Sequence, residues 1–63
     1  MRPTTQLTIV FTSGTQRTWE IVDGTLAGAM LLFELISGTV MGWNVAEISN
    51  FRAVGEVKIG AAS

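Results

Sequence analysis

Polar and apolar residues alternate with a period of two through the first third of the chain. In the first run, the residues on one side are Leu7, Ile9 and Phe11, and in the second run they are Arg17, Trp19 and Ile21. This alternation of β-branched and aromatic residues is typical of half-buried strands. Ser13, Gly14 and Thr15 separate the runs and are typical of a tight turn. The pattern therefore predicts an N-terminal β-hairpin.

The alternation stops at Asp23, and the next segment is almost entirely apolar. Residues 26–36 read LAGAMLLFELI, in which Glu34 is the only charged residue. Leucine, alanine, methionine and glutamate are good helix formers. Asp23 or Thr25 can cap the amino end of a helix here, and Gly38 can end it. The composition therefore predicts one apolar helix over residues 26–36.

Two further strands are predicted in the last third of the chain, at residues 41–48 and 52–59, with a bend near residues 49–51. One long bent strand over residues 40–59 is the alternative. The element order is then ββαββ, which indicates a two-layer α+β fold with the helix packed on one face of a small antiparallel sheet.

The length of 63 residues predicts a single domain, with flexible ends at residues 1–5 and 60–63. A monomer of this size buries only about 60% of the surface that its unfolded chain exposes. The chain has no cysteine, so disulfides cannot stabilise it. Oligomerisation is the remaining common source of stability for a small fold.

The predicted helix also calls for a second chain, because it is apolar on all sides and one small sheet covers only one of them. We therefore expect a homodimer or a higher homo-oligomer. The expected interface residues are Gly28, Leu31, Leu32 and Leu35.

Charge and composition argue against several function classes. The absence of histidine and cysteine excludes nucleophilic triads, thiol chemistry and zinc sites built from these residues. Four basic and five acidic residues give a net charge of −1, which supplies no basic patch for nucleic acid. We expect no catalytic residue, no metal site and no cofactor.

The candidate binding residues are aromatic, polar and basic: Trp43, Asn44, Arg17 and Arg52. Tryptophan and arginine are the residues most enriched at binding hot spots. The same pair can hold a nucleotide, with the ring on the base and the guanidinium on a phosphate. Trp19 is assigned to the core because it shares a side with Ile21.

These observations favour a non-catalytic, homo-oligomeric binding module that acts on a partner protein as an accessory factor, regulator or inhibitor. One alternative is a binder that sequesters a nucleotide-like or anionic small molecule at a subunit interface. A second alternative is a small membrane-associated peptide, although the apolar run is short for a span. The amino terminus has no signal-peptide pattern, which favours a cytoplasmic location.

Overall fold

The protein is built from strands. Its structure, a computed structural model, describes residues 3–62, the last two by their backbone alone. The six strands are β1 (Thr5–Phe11), β2 (Gln16–Ala27), β3 (Met30–Leu35), β4 (Val40–Asn44), β5 (Ile48–Gly55) and β6 (Gly60–Ala62). Within the described residues, the one helical segment is a 3₁₀ turn at Val45–Glu47. The predicted α+β fold of the ββαββ type is therefore wrong, and the chain is all-β.

The strands form one sheet in the order β4-β3-β2-β1-β5, in which neighbours are antiparallel. The short β6 lies parallel to the carboxyl-terminal end of β2. β1 and β2 form the N-terminal hairpin that the alternation predicts, with Leu7 opposite Trp19 and Ile9 opposite Arg17. That part of the sequence-based prediction is confirmed.

The predicted helix over residues 26–36 is a second hairpin. β2 continues to Ala27, a two-residue turn of Gly28 and Ala29 follows, and Ala27 pairs with Met30 at the start of β3. Gly28 has a φ of +60°. Because Ala29, the second central residue, does not have a positive φ, the turn is of type II′, whose twist matches that of a hairpin.

This hairpin resembles a helix in composition because both faces of β3 carry apolar residues. On the inner face, Leu31 and Phe33 are 0% and 2% exposed. On the outer face, Leu32 lies across Gly42 of β4, where an added Cβ would come within 2.6 Å of its Cδ2 atom. The glycine on the neighbouring strand leaves space in which an outward leucine can pack. Because a leucine occupies this outward position, the sequence of β3 shows no alternation of polar and apolar residues.

A β-bulge in β2 changes which of its residues face inward. Ile21 and Asp23 lie opposite adjacent residues of β3, so Val22 is an extra residue in β2. Ile21 and Val22 are both buried, and the buried position that follows is Gly24. The inward positions thus change from odd to even numbers, which also bends the strand and increases its twist.

The sheet is strongly curled, because its two edge strands are joined by the short 3₁₀ turn. In a flat sheet, β4 and β5 would lie about 19 Å apart, four strand spacings of about 4.8 Å. The chain from Asn44 to Ile48 spans at most about 14 Å when fully extended. The end of β4 and the start of β5 must therefore approach each other.

Because of this turn, the bounds of the strands predicted in the last third of the chain are wrong. The predicted strand at residues 41–48 contains the 3₁₀ turn, and the predicted bend at residues 49–51 lies inside β5. The break is placed by Asn44, whose side chain accepts a hydrogen bond of 2.8 Å from the Ala46 backbone N–H. A side chain that bonds to a nearby backbone group in this way competes with the pairing of a strand.

The core lies inside the curl and consists of Leu7, Ile9, Ile21, Leu31 and Phe33. Trp19 is half-buried against this core, as expected. Leu31 is fully buried within its own chain and Gly28 lies in a turn, so the helical face proposed to join two copies through Gly28, Leu31, Leu32 and Leu35 does not exist. Oligomerisation itself stays a prediction.

Residues 56–59 close one end of the curl between β5 and β6. The Thr5 hydroxyl donates to the Val57 carbonyl at 2.9 Å and accepts from the Val57 N–H at 2.7 Å. Ile59 packs over Gly24, where an added Cβ would lie 3.2 Å from its Cγ1 atom. Thr5 and Gly60, both predicted within flexible ends, begin strands here.

Residues 1, 2 and 63, also predicted within the flexible ends, lie outside the described residues. Across residues 3–62, the structure contains no helix with the length and apolar character needed to cross a membrane.

Candidate functional site

A cleft of about 380 Å³ opens beside the turn that connects β1 and β2. It is lined by Phe11, Thr12, Ser13, Thr15, Arg17, Trp43 and Glu47. These residues come from the end of β1, the hairpin loop, the start of β2, the end of β4 and the 3₁₀ turn. The curl of the sheet is what brings these distant segments around one space.

Backbone hydrogen bonds hold the two walls of the cleft together. Within the hairpin loop, the Phe11 N–H donates to the Thr15 carbonyl at 2.8 Å and the Gly14 N–H donates to the Phe11 carbonyl at 2.9 Å. Gly14 has a φ of +93°, which glycine adopts without strain. The Thr12 N–H donates to the Glu47 carbonyl at 3.0 Å, and this bond fixes the loop to the 3₁₀ turn.

Aromatic rings in edge-to-face and tilted contacts connect the cleft to the core. The rings of Phe11 and Trp43 meet edge to face, with centroids 4.9 Å apart. The ring centroid of Trp43 lies 6.4 Å from that of Trp19, and the Trp19 centroid lies 5.2 Å from that of Phe33. These separations lie in the favourable range for aromatic pairs. The apolar side of the cleft is therefore held in place by aromatic packing against the core.

The indole N–H of Trp43 is buried and has no hydrogen-bond partner within the described residues. An unpaired buried donor costs about 1–3 kcal/mol, and such groups are uncommon in folded proteins. The ring that carries this donor also forms a wall of the cleft. The cleft is thus lined by a ring that carries an unpaired buried donor.

The rim of the cleft carries both signs of charge. Arg17 and Glu47 are exposed and line the same space, and three hydroxyl side chains accompany them. The Ser13 hydroxyl donates to the Thr15 hydroxyl at 3.2 Å. Since each hydroxyl can donate and accept, the rim suits a ligand with backbone amides or mixed charge.

The structure brings together two of the four predicted binding residues. Trp43 and Arg17 line the cleft. Arg52 lies opposite Thr8 on β1, and Thr8 is on the other face of that strand from the core residues. Asn44 is exposed and caps the 3₁₀ turn instead of lining the cleft.

Five of the seven lining residues were not predicted as site residues: Thr12, Ser13 and Thr15 of the hairpin loop, together with Phe11 and Glu47. Phe11 was placed with the buried side of the first strand, and Glu47 inside a strand. A signal for Phe11 existed in the sequence, because it is the last inward residue before the turn and therefore lies at the end of the sheet. Glu47 had no such signal, since its place depends on the 3₁₀ turn.

A second depression, of about 180 Å³, lies over the outer side of the β2–β3 hairpin and β4. Its lining residues include Asp23, Thr25, Leu32, Glu34 and Val40. Within residues 3–62, the structure shows no group of three or more metal-ligating side chains. This depression is smaller than the cleft, and Phe33 is the one aromatic residue among those that line it.

No protein-family model matches the chain, and no characterised protein or solved structure is significantly similar to it. The cleft is therefore interpreted from its own residues.

Proposed function

We propose that this chain is a non-catalytic binding module that holds a short segment of a partner protein in the aromatic cleft. The observation that carries the proposal is the meeting of Phe11, Trp43 and Arg17 around one space of about 380 Å³. Aromatic residues and arginine supply most of the binding energy at many protein interfaces. The volume also falls within the range of functional pockets, about 300–1,000 Å³.

The lining residues suggest the chemistry of the bound segment. An apolar or aromatic side chain fits against Phe11 and Trp43, whose rings are already held in place by the core. An acidic group is suited to Arg17, whereas a basic group is suited to Glu47. We therefore expect an apolar residue flanked by residues of opposite charge.

The alternative of a nucleotide-like or anionic ligand has weaker support. Only one of the two arginines assigned to such a ligand lines the cleft, because Arg52 lies on the outer face of the sheet. The Glu47 carboxylate would repel a phosphate in the same space. The cleft is also formed by one chain, whereas the alternative placed the ligand at a subunit interface. A cytoplasmic location stays a prediction.

A peptide-display library selected on the immobilised protein tests the proposal. Enriched peptides should share an apolar residue with flanking charges, and their binding should shift the NMR signal of the Trp43 indole N–H. Arg17→Ala should weaken binding about tenfold or more, which corresponds to about 1.4 kcal/mol. Arg52→Ala is the matched control, because it removes the same charge from the opposite face, and it should leave the affinity unchanged.

Two outcomes would contradict the proposal. The first is equal weakening by the two arginine variants, which would indicate non-specific attraction by net charge. The second is a rise in melting temperature with nucleotides but with no selected peptide, because a ligand that binds the folded state stabilises it. The second result would favour the small-ligand alternative.

A further inference from the structure

β5 lies at the edge of the sheet with its surface open. Seven of its eight positions are exposed, Ile48 being the exception. The exposed positions include the large apolar residues Phe51, at 36%, and Val54, at 63%. Natural edge strands are usually short or protected by proline or several charges. β5 has eight residues, no proline and one charged side chain, that of Arg52.

The hydrogen bonds of β1 show which backbone groups of β5 are free. The N–H of Phe11 points toward β2, since it donates to Thr15. The next N–H, of Thr12, points toward the start of β5, since it donates to Glu47. Because these directions alternate along a strand, the even-numbered residues of β1 bond to β5.

The β5 partners of those even-numbered residues are Asn50, Arg52 and Val54. Their N–H and C=O groups therefore point into the sheet. The N–H and C=O groups of Phe51 and Ala53 point outward, where no strand of the described chain pairs with them. β5 thus presents two successive outward sets of donors and acceptors.

We propose that a second copy of this chain pairs with β5 along this edge, antiparallel and across a two-fold axis. When Phe51 lies opposite Phe51 of the second copy, the outward N–H and C=O groups of the two Phe51 residues bond to each other, and those of Ala53 face Ser49 of the second copy. That register pairs residues 49–53 of each copy, because the β-bulge at Ser49 turns Ile48 toward the core. It places Arg52 opposite Asn50 of the second copy.

The neighbouring register places Arg52 opposite Arg52 of the second copy. It is disfavoured because like charges would then lie directly opposite each other. In the proposed register, Phe51 is covered by its counterpart, whereas Val54 lies on the outer face and stays exposed. The largest apolar side chain that β5 leaves exposed is thus covered.

A second copy is the occupant that these features favour over an unrelated strand. The edge is self-complementary, as a two-fold interface requires. A net charge of −1 per chain gives little repulsion between copies. The chain is also small, with five residues in its core cluster, so that extending the sheet adds burial that the monomer lacks.

Amide hydrogen exchange followed by NMR tests the pairing without any substitution. The Arg52 and Val54 amides should be protected at every protein concentration, because they bond within the chain. The Phe51 and Ala53 amides should become protected only as concentration rises from low micromolar to millimolar. If these two exchange as open amides throughout that range, the proposal is overturned.

Sedimentation equilibrium on Ala53→Pro gives the second test. Proline removes an outward N–H and no internal ladder bond, and it is tolerated on edge strands in that orientation. The wild type should reach twice the 6.7 kDa of one chain, and Ala53→Pro should weaken the dimer at least tenfold. Ala53→Val, which keeps the N–H, is the matched control and should remain dimeric.

A folded Ala53→Pro variant with wild-type dimer affinity would overturn the proposal, as would a wild type with the mass of one chain. A dimer whose Phe51 and Ala53 amides stay open would also overturn it, because the interface would then lie elsewhere. If circular dichroism shows that Ala53→Pro is unfolded, the exchange measurement on the wild type decides.

Discussion

β1 and β5 pair with each other along most of their length, yet they differ sharply in burial. Leu7 and Ile9 of β1 are 0% exposed, whereas Phe51, which lies opposite Ile9, is 36% exposed. Within residues 3–62, β1 pairs with a strand on each side, whereas β5 pairs with a strand on one side only. The difference shows that position in the sheet decides the burial of a residue more than its type does.

This contrast separates two roles within one small sheet. β1, β2 and β3 supply all five residues of the core cluster, so most of the stability should come from them. The free edge of β5 and the cleft beside the β1–β2 turn leave apolar groups accessible. Substitutions in the core strands should therefore change stability, and substitutions on the open surfaces should change association.

The strongest test of the contrast is Leu31→Ala in β3. Removing a fully buried leucine costs about 2–5 kcal/mol, against a total stability of about 3–9 kcal/mol for 63 residues. Leu32→Ala is the matched control, since Leu32 lies on the outer face and is half-buried. Urea denaturation should show a clearly smaller loss for this control. Equal losses would mean that the two faces of β3 are assigned incorrectly.

Gly55→Ala should cost about 2–4 kcal/mol at the junction between β5 and the closing segment. Gly55 has a φ of +148°, and an added Cβ would lie 2.6 Å from the Thr4 carbonyl oxygen and 2.7 Å from the Thr5 Cα. Strain and overpacking therefore add. Gly60→Ala has open space around it and should be nearly neutral. Thermal unfolding of the pair measures the difference, and similar melting temperatures would disprove the close approach.

Thr5→Val should cost about 1–2 kcal/mol with almost no change in volume. The substitution leaves the N–H and C=O groups of Val57 without the Thr5 hydroxyl, which is 2% exposed. Thr8→Val removes a hydroxyl that bonds to Thr18 at an exposed position and serves as the control. Chemical denaturation should rank Thr5→Val as the more damaging of the two, and the reverse order would count against the proposed closure.

Val54→Thr on β5 should change the stability of the monomer by no more than about 0.5 kcal/mol, because the side chain is 63% exposed. The measurement is urea denaturation at the lowest usable protein concentration, where monomer predominates. A loss above about 1 kcal/mol under those conditions would show that β5 is covered within a single chain.

The two hairpins show how far the sequence pattern reaches. The first hairpin was predicted because one face of each strand is apolar and the other is mainly polar until the bulge. The second was predicted as a helix from its apolar composition. That composition arises because the outer face of β3 is apolar as well, with Leu32 packed over Gly42. Gly28 was the available signal, since a glycine inside a helix is unfavourable but fits the first position of a two-residue turn.

The candidate site was predicted in part, for a similar reason. Trp43 and Arg17 were predicted as binding residues from their chemistry, which is known from residue type alone. Their meeting in one cleft, the contribution of Phe11 and the exclusion of Arg52 depend on the curl of the sheet and on which face each residue occupies. None of these three features follows from residue type.

Composition and neighbours along the chain were enough to predict the absence of cysteine and histidine chemistry, the first hairpin and the residue types available for binding. They were not enough to predict that residues 26–36 form strands and a turn, that the sheet curls, or that β5 lies at an open edge. These features depend on contacts between distant segments, which outweigh the weak local preference of a leucine-rich run for a helix.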